Sequence, residues 1–163
     1  MASDPVAIRG MWESAFQEKR ELIRTIDPDK LERATENHGW TVRNLATHVA
    51  IGSDSPLGMA APKLARGKPL LPVPVPTWLF TKIGDLDNAR QVKKRARSAP
   101  EELVGLMDES HAKAAKALDA VPATGWDSPA FIPTMGKLSL AEFVQRMVEH
   151  DQEHAEVLKR ALA

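Results

Sequence analysis

Residues 146–160 read RMVEHDQEHAEVLKR, with His150 and His154 four positions apart. Around them Phe143, Met147, Val157, Leu158 and Ala161 recur at the spacing of one face of an α-helix. With position 150 at zero and a step of about 100° per residue, His154 falls at about 40°, Met147 at about 60°, and Ala161 and Phe143 at about 20°. Both imidazoles thus sit in the middle of the apolar stripe. A buried neutral ring leaves a polar nitrogen to satisfy, at a cost of roughly a few kcal/mol if nothing does so. Either the two rings hydrogen-bond to each other and to water, or a metal ion satisfies both, since this spacing aims them at one point.

Working back from that helix, Ser139 caps it and Glu142 completes a capping box. Upstream, Ser98-Ala-Pro-Glu101 reads as another capping box. It opens a helix carrying Leu103, Met107, Ser110, Ala114, Leu118 and Val121. Between these two helices, PATGWDSPAFIPTMGKLS reads as a loop. The first helix starts at Ser3 or Asp4 with Pro5 in its opening turn, and its stripe runs Ile8, Met11, Trp12, Ala15, Phe16, Leu22, Ile23 and Ile26. After a short turn, a loop carrying His38 closes at Gly39. Thr41 caps a second helix, which Pro56 and Pro62 should kink or split. Four prolines between 69 and 76 predict a stiff, extended crossover. DLDNARQVKKRAR (85–97) follows as a short polar accessory helix. Strand alternation is nearly absent. The expected architecture is an all-α four-helix bundle forming a single domain over residues 1–163.

Bulk properties narrow the function. Lys plus Arg (22) equals Asp plus Glu (22), so no net charge points to nucleic acid or an anionic membrane. The basic run Lys93–Arg97 reads as a solvated helix face. No cysteine is present, which excludes disulfides, thiolate ligands and a cysteine nucleophile. With no apolar leader and no membrane-length apolar run, a cytoplasmic protein is expected. HDQEH also matches H-x-x-E-H, the inverted zinc-protease signature. That architecture needs a further acidic ligand well downstream, and Glu153 points away from the stripe, so a protease is not expected.

In the second helix Val42, Leu45, Val49 and Gly52 define the inner face, with His48 on its flank. Antiparallel to the last helix, it would bring His48 to a depth similar to that of His154, which permits a three-histidine site. GWTVRNLATHVA (39–50), in which His48 follows Trp40 by eight, combines with EHDQEH (149–154). Together with residues 85–109 and the Gly125-Trp126 pair, these segments resemble the DinB/YfiT-like metal-binding superfamily over roughly residues 5–160. Its members include mycothiol-dependent maleylpyruvate isomerases, bacillithiol-type S-transferases and metal-dependent hydrolases. The resemblance implies an up-down-down-up bundle, a divalent ion such as Zn or Ni on His48, His150 and His154, a low-molecular-weight thiol and a homodimer.

Three protein nitrogens leave coordination positions open, as in catalytic rather than structural sites. Such a site serves thiol transfer or hydrolysis. The resemblance, and the lack of an evident carboxylate base on the inner stripe beside the histidines, make metal-dependent thiol chemistry on a small molecule, of S-transferase or isomerase type, the expected function. The alternatives are a metal-dependent hydrolase and a non-catalytic metal or small-molecule binding protein. Trp78, Asn88 and His111 are the candidate substrate-contacting residues. Arg43, Arg90 and Arg146 are candidates to hold the thiol's carboxylates, and Asp54 and Asp87 to reach in from the rim.

Overall fold

The computed structural model of the protein describes residues 3–37, 39–52, 54–71 and 75–163. Its helices are α1 (Pro5–Arg24), α2 (Val42–Gly52), α3 (Asp54–Leu64), α4 (Thr77–Lys94), α5 (Pro100–Asp119) and α6 (Leu140–Leu162). α1 packs chiefly on α6, α3 on α5, and α2 on both α5 and α6, with α1 parallel to α6 and α3 parallel to α5, as an up-down-down-up bundle requires. Asp4 caps α1 by accepting from the amides of Val6 and Ala7. Thr41 accepts from Asn44 at the head of α2. Ser139 accepts from the Glu142 amide at 3.2 Å while the Glu142 carboxylate takes the Ser139 amide at 2.7 Å, the full capping box of α6.

Several expectations are corrected. The accessory helix is not short: α4 begins at Thr77 and runs 18 residues, so the proline-rich crossover ends at Pro76. Prolines 72 and 74 of that crossover, and His38, lie outside the described residues. None of the side chains described in α4 is buried, so it lies on the bundle rather than in it. The second helix is described as α2 and α3 on either side of residue 53, with Pro56 and Pro62 both inside α3. Pro56 falls in the first turn, where no intrahelical donor is lost, and Pro62 is exposed. The cap of α5 is Ala99 rather than Ser98, because Pro100 takes the first helical position and sets the cap one residue before it. Glu102 still closes back on the Ala99 amide, at 3.2 Å. Met11 is 37% exposed and does not join the α1 stripe.

The loop after α5 holds structure that its composition concealed. β1 (Ala130–Ile132) and β2 (Gly136–Leu138) pair antiparallel. Gly136 at φ 82° and Thr134 at φ 71° turn the chain between them. Three-residue strands are too short to show alternation above the noise of a Gly- and Pro-rich segment.

The apolar core falls into two clusters. One gathers Trp12, Leu57, Leu64, Leu118, Trp126 and Phe143; the other gathers Phe16, Ile23, Leu45, Leu103, Met107 and Leu158. Their boundary is marked on α6, on α5 and across α2 and α3. The clusters meet between Val148 and Leu158 on α6, between Met107 and Ala114 on α5, and between Ala50 and Leu57 across α2 and α3. In those intervals lie His150, Asp151, His154, His111 and Asp54. A polar layer therefore crosses the bundle between two apolar halves. Removing the α6 cap with Ser139→Ala should cost about 1 kcal/mol of stability without altering the layer. Equilibrium urea unfolding would show it, and an unchanged midpoint would contradict this reading of the cap.

Candidate metal centre

His48 on α2 and His150 and His154 on α6 converge in this layer, with one potential ligand atom from each lying within 4.8 Å of the others. The ring centroids are 5.7 Å apart for His48 and His150, 4.9 Å for His48 and His154, and 4.4 Å for His150 and His154. Each pair of planes is nearly perpendicular. Rings stacked on one another would face one another with π surface. Rings set edge-on bring nitrogens together. His48 is buried and the other two are half-buried.

The hydrogen bonding of the rings is incomplete in a specific way. Nδ1 of His48 and Nε2 of His154 are buried with no hydrogen-bond partner. Such atoms are costly in an apolar interior unless something else satisfies them. The opposite nitrogen of each ring is held. The Asn37 amide lies 3.4 Å from Nδ1 of His154, and Asn88 hydrogen-bonds the His48 ring. The amide nitrogen of Asn37 is the atom that faces Nδ1 of His154; with the amide turned so that its oxygen faces Nδ1 instead, Nδ1 donates and Nε2 keeps its lone pair for a ligand. Two orphaned nitrogens beside a third imidazole are a donor set that fits a divalent ion of the zinc or nickel type.

Local sequence places these supports. Gly39 at φ 81° turns the loop before α2, so that Trp40 meets the edge of His48 at 5.1 Å and Asn37 reaches His154. Trp40 donates its amide to the Asn37 carbonyl at 2.8 Å and accepts from Thr35 at 2.8 Å, which closes that loop on itself. Gly52 keeps a side of His48 open. A Cβ there would lie 3.8 Å from Cε1 of the ring.

Beside the rings, a cleft of about 620 Å³ opens between α3, α4 and α5. Gly52 and Asn88 line it and both neighbour His48, so the cleft adjoins one edge of that ring, although none of the three histidines lines it. Asn88 also lines a second cleft of about 550 Å³ that includes Trp40 and Asn44. Of the residues singled out in the sequence, the structure therefore brings Asn88 to the histidines and leaves two elsewhere. Trp78 is 67% exposed at the start of α4 and lines neither cleft. His111 stacks on Trp12 and Phe16 and bonds to Glu13 at 2.9 Å and Asp54 at 3.3 Å, away from the triad. Asp54 is not at the rim but 4% exposed. Burial pushes its carboxyl up, but His111, Lys19 and Trp12 outweigh that and hold it below the ordinary range. Arg43 is committed to Glu32 and the Ser98 carbonyl, and Arg146 to Glu149. The cations that do line the cleft are Arg95 and Lys113, which the sequence reading missed. Asn37 was missed as well, since a single Asn in a loop carries no periodic signal.

Helices from both ends of the chain, three imidazoles at the layer they share and an added surface helix define a DinB/YfiT-like bundle. The chain belongs to the family described as the mycothiol maleylpyruvate isomerase N-terminal domain, which matches residues 12–151. Among curated proteins, none matches it. Among solved structures it is similar to the mycothiol-dependent maleylpyruvate isomerase, with a TM-score of 0.72 and 14% identity over 96% of this chain and 61% of that one. It is also similar to TT2238, a four-helix bundle protein, with a TM-score of 0.64 and 18% identity over 96% of this chain and 99% of that one. The chain thus spans about three-fifths of the length of the isomerase, and at these identities the likeness is one of fold. No described helix is long and apolar enough to cross a membrane.

Burial, joined by the charge of His150, lowers the pKa of His48. The same causes, with His48 added, lower that of His154 to about 4. Both rings are neutral at neutral pH, the state in which imidazole ligates. The unfolded chain takes up protons on these rings near pH 6.5, and the folded chain only toward about 4 at His154. Between those values the unfolded state binds more protons, so the metal-free protein should lose stability as the pH falls through that window. Denaturant unfolding at a series of pH values would measure the slope. His154→Gln should flatten it, and an equal slope in that variant would contradict the assignment.

Proposed function

We propose that the protein is a metal-dependent enzyme in which His48, His150 and His154 hold a divalent ion, zinc or nickel, next to a small-molecule cleft. Its chemistry is of the thiol-dependent S-transferase or isomerase type. The observation that carries this reading is the pair of buried, unpartnered imidazole nitrogens within a cluster of three histidines whose ligand atoms lie within 4.8 Å of one another. When bound in such a site, a divalent ion lowers the pKa of a thiol toward neutrality and polarises a carbonyl oxygen. The residues of this chain supply the rest. Asn37 and Asn88 orient the rings. The apolar halves above and below the layer exclude water from the histidines, while the cleft admits a ligand from one side. Arg95 and Lys113 offer positive charge to carboxylates of a substrate or thiol. Family membership and the likeness to a mycothiol-dependent isomerase support thiol chemistry. Asp54 supports it too: its lone pairs are taken by Trp12, Lys19 and His111, and its lowered pKa makes it a poor general base for hydrolysis.

The test is elemental analysis of protein prepared without a histidine tag, followed by thiol-transfer and isomerase screens. About one equivalent of Zn or Ni is expected, with loss of roughly tenfold or more in affinity in His48→Ala, His150→Ala and His154→Ala. Folded protein that carries no metal and takes up neither ion would contradict the proposal.

A further inference from the structure

Lys19, Asp54 and Asp151 form a buried ion cluster that the chemistry above does not use. Nζ of Lys19 lies 2.6 Å from Oδ2 of Asp151 and 3.5 Å from Oδ2 of Asp54, and the three side chains are 3%, 7% and 4% exposed respectively for Lys19, Asp151 and Asp54. Asp54 also accepts from Nε1 of Trp12 at 2.9 Å. Three ionised groups taken out of water recover their lost solvation only when their geometry is good. Apolar residues of similar volume usually stabilise a core at least as well. Stability alone therefore gives no reason for the cluster.

Its location does. Asp151 directly follows His150 and precedes His154 by three residues on α6, and Asp54 stands six residues beyond His48 at the head of α3. Lys19 comes from α1, which carries no imidazole, and bridges the two. Apolar packing is non-directional and lets a helix settle at neighbouring rotations and heights. One residue of slip turns a helix by about 100° and shifts it by about 1.5 Å, whereas a coordination site needs its donors held within about 0.5 Å. A short charge-assisted bond to a fixed lysine removes that freedom.

We propose that the Lys19–Asp54–Asp151 cluster is a positioning device: Lys19 pins α6 at Asp151 and α3 at Asp54, and so sets the depth and rotation at which His150 and His154 meet His48. The consequence for metal affinity rests on the metal reading above. The consequence for the assembly of the three rings does not.

The variant Lys19→Met/Asp54→Asn/Asp151→Asn removes all three charges at nearly constant volume. It should fold with a single cooperative denaturation transition. Its affinity for Zn²⁺, measured by competition with a chromophoric chelator, should nevertheless fall by about tenfold or more. In a crystal structure of the metal-free variant, the imidazole nitrogens should no longer all lie within 4.8 Å. A folded variant that keeps the rings together and binds Zn²⁺ within about twofold of the parent would overturn the proposal. If the parent itself takes up no Zn²⁺, the metal reading fails, and the comparison of metal-free structures alone decides the positioning claim. If the triple variant does not fold, Lys19→Gln/Asp151→Asn removes the lysine's ion pairs with both aspartates while keeping the Asp54 carboxylate. That variant leaves Asp54 with Trp12 and His111, and the same two readouts apply to it.

Discussion

The 2.6 Å bond between Lys19 and Asp151 fixes the height at which the helices of this bundle meet. An ammonium group buried at 3% exposure must find carboxylates, and the two it finds lie on α3 and α6. Asp54 then draws in Trp12 and His111, so α1, α3, α5 and α6 are tied at one level. The three imidazoles stand beside this layer, and two of them keep a nitrogen without a hydrogen-bond partner. Apolar clusters close it above and below, which makes each polar contact within it stronger and each missing one more costly. A bundle can carry such a layer because its two apolar halves are each large enough to pack independently.

This arrangement separates two tasks. The ion cluster and the aromatic stack of Trp12, His111 and Phe16 are closed, with each polar group facing a partner. The histidine triad keeps two nitrogens without a hydrogen-bond partner, and a cleft lined by Gly52 and Asn88 lies beside it. Closed networks rigidify, and open ones bind. The fold shared with a mycothiol-dependent isomerase at only 14% identity shows that the bundle persists while most of its residues differ. In this chain α4 forms one wall of that cleft. None of its described side chains is buried, so its residues are free to be chosen for a ligand rather than for the core.

Much of this was legible in the sequence because polar residues interrupt apolar stripes. His150 and His154 do so on α6 and were read that way. The same rule reaches further than it was applied. Ile8, Trp12, Ala15, Lys19, Ile23 and Ile26 keep a helical spacing straight through the lysine, and Val144, Val148, Asp151, Ala155 and Leu158 do so through the aspartate. Met107, His111 and Ala114 repeat the pattern on α5. A charged residue within a stripe is easily taken for a lapse of amphipathicity; here the interruptions on several helices answer one another. What the sequence could not show was contact between loop and helix. Asn37 and the short hairpin depend on tertiary closure, and Arg95 and Lys113 join one cleft only because α4 packs on α2 and so faces α5 across it. The start of α4 was obscured because a proline run looks extended up to its last residue, while Pro76 is also a suitable cap for the helix that follows.

The central claim is that three histidines from α2 and α6 hold one ion with room for a further ligand. X-ray absorption spectroscopy at the zinc edge, on protein loaded with one equivalent of Zn²⁺, tests it most directly. The account predicts three imidazole nitrogens at about 2.0 Å and at least one light-atom ligand that a small thiol replaces with sulfur at about 2.3 Å. A spectrum with fewer than three imidazoles, or one that a thiol leaves unchanged in a fully ligated shell, would contradict it.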